Sequence, residues 1–220
     1  MNKYFCCKIY DNKIFNKMSE DLEEKENDYI KIVLIGEMYT GKTSLINVYF
    51  GLEFTKDIPS TLSPSVSQKE LKIKGTPYII HMWDTAGQEK YRSMTKIFIK
   101  GAQIVIFVYD ITNESTFEQL DEFWVKSVEE ILGQEPVLAV VGNKIDLFEK
   151  QEVKKERAEA YAKKIGALFY ESSAKADAKG FQNFINVLIE ELLGKKGIIK
   201  REGTHISTKS KKKNRSNCPC

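Results

Sequence analysis

The chain has 220 residues, 34 Lys and Arg against 31 Asp and Glu, and a formal net charge of +3. That length accommodates one domain of ordinary size with appendages. All four cysteines lie near the ends, at positions 6, 7, 218 and 220, which excludes a disulfide framework inside the folded part and makes a reducing compartment the natural setting. No apolar run approaches the length of a membrane span, no secretory leader is expected, and residue 2 is not the glycine that myristoylation needs.

In chain order, residues 1–28 read as an extension of uncertain order that ends in an acidic run, with six Asp or Glu and one Lys between residues 20 and 28. Apolar runs then alternate with helix-period segments. Strands are expected at about 30–35, 66–73, 78–83, 103–109, 137–142 and 167–170. Near-continuous runs such as Ile104-Val105-Ile106-Phe107-Val108 suit strands buried on both faces. Phe117, Leu120, Trp124, Val128 and Ile131 recur at helical spacing, as do Phe181, Phe184, Ile185, Leu188 and Leu192. Both stripes read as core. The alternation predicts an α/β fold: a doubly wound, six-stranded, mostly parallel sheet with helices on both faces. The short connection Lys74-Gly75-Thr76-Pro77 makes the pair it joins antiparallel. Ligand is expected outside the carboxyl ends of the strands. Three units follow: the extension 1–28, a domain 29–194 and a basic tail 195–220 holding nine Lys or Arg and one Glu.

The most informative segment is Gly36-Glu37-Met38-Tyr39-Thr40-Gly41-Lys42-Thr43. It follows an expected strand, and an amphipathic stretch from Ser44 to Phe50 follows it. This is the Gly-x4-Gly-Lys-Ser/Thr pattern of a phosphate-binding loop. Its backbone N–H groups cradle phosphates, the lysine reaches the β- and γ-phosphates, and the next hydroxyl binds Mg2+. The helix that begins there adds its positive dipole end. GTPases, ATPases and small-molecule kinases all share such a loop, so the base and the reaction must be read elsewhere.

Two further segments bear on that. In Trp83-Asp84-Thr85-Ala86-Gly87-Gln88-Glu89, an aspartate at a strand end can hold Mg2+, directly or through water, and a glutamine can orient an attacking water. Gly87 allows close backbone approach to a γ-phosphate. In Asn143-Lys144-Ile145-Asp146, a carboxylate can accept from N1 and the 2-amino group of guanine. Adenine lacks that donor pair and is rejected by a site built around it. Taken singly, each is also ordinary loop chemistry after a strand.

The three segments together, in this order, resemble the Ras superfamily of small GTPases over about residues 29–194. Glu171-Ser172-Ser173-Ala174-Lys175 is similar to that family's second guanine loop. The resemblance makes Ser173, Ala174 and Lys175 base-binding residues, with the alanine N–H at the guanine oxygen. It makes Thr61 the loop threonine that meets Mg2+ and the γ-phosphate, and Phe54 the aromatic that packs edge-on against guanine. The Trp-Asp-Thr-Ala-Gly-Gln-Glu wording and the terminal Cys218-Pro219-Cys220 are similar to the Rab branch. Leu62 after the threonine is similar to an endosomal subgroup.

The implied activity is slow hydrolysis of GTP to GDP with Mg2+, with Gln88, Lys42, Gly87 and Thr61 as catalytic groups and Thr43, Thr61 and Asp84 around the metal. The implied partners are an exchange factor, a GTPase-activating protein, a GDP-dissociation inhibitor or escort protein, and effectors, with the chain itself a monomer. Three departures stand out. Thr61-Leu62-Ser63-Pro64 replaces the usual Thr-Ile-Gly. Val66 replaces an aromatic on the effector surface otherwise formed by Trp83 and Phe98. Met38 occupies a place usually held by a small residue, where it can crowd the water near Gln88.

Cys218 and Cys220 resemble the Rab signal for two geranylgeranyl groups, and two lipids give stable anchoring where one does not. Lys209, Lys211, Lys212, Lys213 and Arg215 add attraction to anionic lipid. Nucleic acid is not expected as a partner, since no stacking aromatics accompany the basic tail. Cys6 and Cys7 are candidates for palmitate or idle thiols; His81 and His205 show no metal-ligand pattern. The expectation is a membrane-anchored regulator of vesicle traffic on the cytoplasmic face of an endomembrane. The alternatives are a constitutively GTP-bound scaffold with hydrolysis blocked by Met38, and a small-molecule kinase, for which no acceptor pocket or lid segment is evident.

Overall fold

The computed structural model describes residues 5–8, 29–56, 58–61, 64–85, 97–132 and 136–198. The strands are β1 (Phe5–Lys8), β2 (Tyr29–Ile35), β3 (Ser65–Ile73), β4 (Thr76–Asp84), β5 (Ile104–Asp110), β6 (Val137–Asn143) and β7 (Leu168–Glu171). The helices are α1 (Lys42–Tyr49), α2 (Glu114–Gln119), α3 (Val125–Ile131), α4 (Lys155–Lys164) and α5 (Ala178–Lys195). A π-turn, Leu120–Trp124, joins α2 to α3, and a 3-10 turn, Ile145–Lys150, follows β6.

Among the described residues these strands form one sheet in the order β1-β3-β4-β2-β5-β6-β7. β2 is parallel to both β4 and β5, and β5-β6 and β6-β7 are parallel. β3 and β4 are antiparallel, as the short connection requires. The turn is only Lys74-Gly75, with φ of 48° and 86°; two positive φ values are what a two-residue hairpin of matching twist needs. Pro77 falls inside β4, opposite Lys72. The β2 ladder on the other side of β4 begins at Ile79, so the missing N–H falls outside it.

The six expected strands form as read, with boundaries moved by one or two residues. β1 is additional. It lies in the N-terminal extension and pairs antiparallel with β3, Phe5 opposite Gln68 and Lys8 opposite Ser65.

Strand alternation sorts the core into two layers. Ile30, Ile32 and Leu34 of β2 and Ile104, Ile106 and Val108 of β5 face α1 and α5. Val33 and Ile35, with Val105, Phe107 and Tyr109, face α2, α3 and α4. Every residue of β5 is buried, so a one-residue slip would exchange its two side-chain sets between unlike layers. α1 lies on one face and α2 on the other, so the winding reverses between β2 and β5. That reversal opens a crevice at the carboxyl ends of these strands.

Candidate functional site

A cavity of about 570 Å³ occupies the crevice, within the usual size range of small-molecule sites. Met38, Tyr39, Gly41, Lys42, Thr43, Ser44, Phe54, Thr61, Asn143, Lys144, Asp146, Ala174 and Lys175 line it. The three loops that the sequence singled out, with Phe54 and Thr61 from a fourth, therefore meet around one volume.

The loop after β2 needs its glycines. At Gly36, with φ of +145°, a Cβ would stand 2.1 Å from the Val108 carbonyl oxygen; at Gly41, with φ of +90°, it would stand 2.3 Å from Asn143 Nδ2. Neither gap admits a carbon atom. Lys42 curls back over the loop, donating from Nζ to the carbonyls of Gly36 at 2.9 Å and Glu37 at 2.8 Å. Burial pushes its ammonium down to about 8, opposed by the nearby Asp84 and Glu37 charges. Thr40 Oγ1 also donates to the Glu37 carbonyl, at 2.9 Å. Tyr39 has φ of 65° and a 67% exposed side chain, an unusual conformation for a bulky residue.

At one end of the cavity three oxygen-bearing side chains converge. Thr43 Oγ1 donates to Asp84 Oδ2 at 2.7 Å and lies 2.8 Å from Thr61 Oγ1, which is itself 3.5 Å from Asp84 Oδ2. Asp84 is buried, and its Oδ1 has no hydrogen-bond partner. Burial raises its pKa, opposed by the Thr43 hydrogen bond, the Lys42 charge and the Thr61 hydrogen bond. Two hydroxyls and a buried carboxylate with an unpartnered oxygen fit a hard divalent cation. Among the described residues no three His, Cys, Asp or Glu side chains assemble as a metal group, so a cation here needs further oxygens from its ligand.

The opposite end is tied together by Asn143, which is 1% exposed. Its Nδ2 donates to the Thr40 carbonyl at 2.8 Å, and its Oδ1 accepts from Ala174 N–H at 3.2 Å. The alanine N–H expected at a guanine oxygen is thus directed at Asn143. Ser173 Oγ donates to Asp146 Oδ1 at 2.6 Å and accepts from the N–H groups of Lys175 and Ala176. Lys144, at φ of 72°, pairs with Asp110 Oδ2 at 2.5 Å. Asp110 Oδ1 accepts from Thr112 N–H and Oγ1. Gly36, Glu37, Thr40 and Ser173 stand behind the lining residues as its support.

Val66 and Trp83 are cross-strand partners, and the Trp83 and Phe98 ring centroids lie 5.9 Å apart. The three residues expected on an effector surface are therefore neighbours. Trp83 and Phe98 are only 4% and 6% exposed, so most of both rings faces the core. Lys31 Nζ sits 4.3 Å from the Trp83 ring centroid and donates to the Lys100 carbonyl at 2.7 Å. Gln88, Gly87, Leu62, Ser63, Cys218 and Cys220 lie outside the described residues, and Cys6 and Cys7 are described only as backbone in β1.

Two supporting contacts were not read from sequence: the Asp110 pairing with Lys144, and a bond from Trp124 Nε1 to Glu37 Oε1 at 3.0 Å. The second had a signal. A tryptophan in an apolar stripe brings an N–H that needs an acceptor when buried.

The model of the Ras family matches residues 31–193. This chain belongs to the Ras family. Ras-related protein Rab-21 of Homo sapiens is 39% identical over 163 residues, 74% of this chain and 72% of that protein. Ras-related protein Rab-21 of Dictyostelium discoideum is 34% identical over 178 residues, 80% of this chain and 83% of that protein. Ras-related protein RabJ of the same organism is 33% identical over 148 residues, covering 66% of this chain and 56% of that protein. As a Ras-family chain with these relatives, it is a Rab-like small GTPase.

Proposed function

We propose that this chain is a membrane-anchored switch of vesicle traffic that binds GTP and GDP with Mg2+ in the cavity between its loops. The observation that carries the nucleotide reading is the bond between Asn143 Nδ2 and the Thr40 carbonyl. It couples the loop assigned to the base to the loop assigned to the phosphates, so one ligand can span both. In this reading Asp146 accepts from guanine, Lys144 lies along the base, and Phe54 meets its edge. Lys42 and the loop N–H groups hold the phosphates and stabilise charge that develops on them.

Thr43, Thr61 and Asp84 would hold Mg2+, which would supply positive charge against the charge of the phosphates. Gln88 orients the attacking water and Gly87 approaches the γ-phosphate. The traffic role, the endomembrane location, the regulators and the lipid anchor at Cys218 and Cys220 rest on the likeness to the Rab branch.

Met38 lines the cavity, which favours slow intrinsic hydrolysis, at or below the order of 10^-4 per second. It also supports the second reading, a scaffold that retains GTP. Single-turnover phosphate release from protein loaded with GTP and Mg2+ separates the two. Slow, measurable release that Met38→Gly accelerates is expected. No release from tightly held GTP favours the scaffold, and an unchanged rate in Met38→Gly removes the crowding argument.

A further inference from the structure

The helical segment beside the phosphate loop contains a device that the nucleotide reading does not use. α2 and α3 would be one ordinary helix but for the π-turn between them, where Val125 N–H reaches back to the Leu120 carbonyl. Turns of this kind are rare and frequently mark functional positions. The last residue of the π-turn is Trp124, with no exposed surface. Its ring packs edge-on against Phe123 at 5.0 Å, and its Nε1–H donates to Glu37 Oε1 at 3.0 Å across 87 residues of sequence.

Glu37 is thereby held at two points. Its carbonyl accepts from Lys42 Nζ and from Thr40 Oγ1, and its carboxylate is anchored to the buried indole. The carboxylate needs such an anchor. It belongs to a loop that gathers N–H groups around phosphates, and a free negative charge there would repel the ligand. A charge-assisted bond to an indole N–H is stronger than a neutral one, and the donor is fixed by core packing.

We infer that Trp124 is a positioning residue: it holds the Glu37 carboxylate away from the phosphate end of the cavity and so keeps the loop in its ligand-ready shape. This rests on the nucleotide reading above. The bond acts through Glu37 on residence of the nucleotide, with no contact of its own to the ligand.

The test is the dissociation rate of a fluorescent GDP analogue, with Mg2+, from the full chain and from Glu37→Met, Glu37→Gln, Trp124→Phe and the Glu37→Met/Trp124→Phe double variant. Thermal midpoints are recorded beside the rates. Trp124→Phe removes the indole donor from the carboxylate and is expected to speed release about tenfold. Glu37→Met removes the acceptor together with its charge and is expected to speed release about fivefold through lost loop anchoring. Glu37→Gln retains an acceptor and is expected to fall between Glu37→Met and the unmodified chain. The double variant should be no faster than Trp124→Phe alone, since both changes break one bond.

Release from Glu37→Met at the unmodified rate, Glu37→Gln as fast as Glu37→Met, or single effects that multiply in the double variant would each overturn the inference. If Trp124→Phe does not fold, the two Glu37 variants decide it. Failure of the unmodified chain to bind the analogue would instead count against the nucleotide reading, and the inference would fall with it.

Discussion

The two ends of the cavity are built on opposite plans. At the Asn143–Asp146 end the polar groups satisfy one another. Asn143 uses both its amide and its carbonyl, Asp146 accepts from Ser173, and Lys144 pairs with Asp110. At the Thr43–Asp84 end the groups are left incomplete. Asp84 Oδ1 is buried without a partner, and the Lys42 ammonium is pushed down to about 8 by burial. A buried carboxylate oxygen without a hydrogen bond is costly, and each such group in a native structure calls for an explanation. The first end is therefore a preformed surface that discriminates. The second is a socket that, in the proposed reading, acquires its full set of bonds with an anion and a cation in place.

The largest expected effect is at the preformed end. Asp146→Asn exchanges an acceptor for a donor where, in the proposed reading, guanine presents two donors. GTP affinity measured by calorimetry should fall about a thousandfold, ~4 kcal/mol, with the thermal midpoint of the ligand-free chain nearly unchanged. A comparable loss of ligand-free stability would mean that Asp146 is structural and would break the contrast.

At the socket end the sign of the stability change differs. Asp84→Asn removes a buried carboxylate with an unpartnered oxygen, so the ligand-free chain should become more stable by about 1 kcal/mol. The same change removes the charged oxygen available to the cation. The gain in GTP affinity on adding Mg2+, relative to a chelator, should shrink about thirtyfold, ~2 kcal/mol. If Mg2+ strengthens GTP binding equally in both proteins, the Thr43–Thr61–Asp84 cluster is not the cation site.

Much of this was legible in the sequence because the informative signals are local. Strands buried on both faces are continuous apolar runs, and β2, β5 and β6 follow that pattern. The antiparallel pair followed from a connection too short to cross over. The motif loops follow strand ends, so a parallel sheet brings them to one edge. Most of what escaped depends on partners distant in the chain. β1 is four residues with no apolar alternation, held by backbone pairing to an edge. The π-turn leaves the apolar spacing nearly helical, so Phe117, Leu120, Trp124 and Val128 read as one stripe. The bond from Asn143 to Thr40 joins residues 103 apart, and no spacing rule announces it. Trp83 and Phe98 were read as surface because their roles came from a likeness; their packing against the core was not visible in composition.

The smallest expected effect bears on the strain in the socket. Tyr39 takes a left-handed backbone conformation that costs an L-residue roughly 1–2 kcal/mol, and its side chain, 67% exposed, recovers little of that through burial. Tyr39→Gly removes the steric cost but adds about 0.5–1 kcal/mol of backbone entropy to be lost on folding. The net gain should be about 0.5 kcal/mol, a rise of one or two degrees in thermal midpoint at roughly 2–4 °C per kcal/mol for a domain of this size. Tyr39→Ala separates strain from side-chain loss, because alanine keeps the Cβ and therefore the cost. The glycine variant should stand about 1 kcal/mol above the alanine variant. Equal stability of the two would show that the backbone there relaxes freely and that Tyr39 stores no strain.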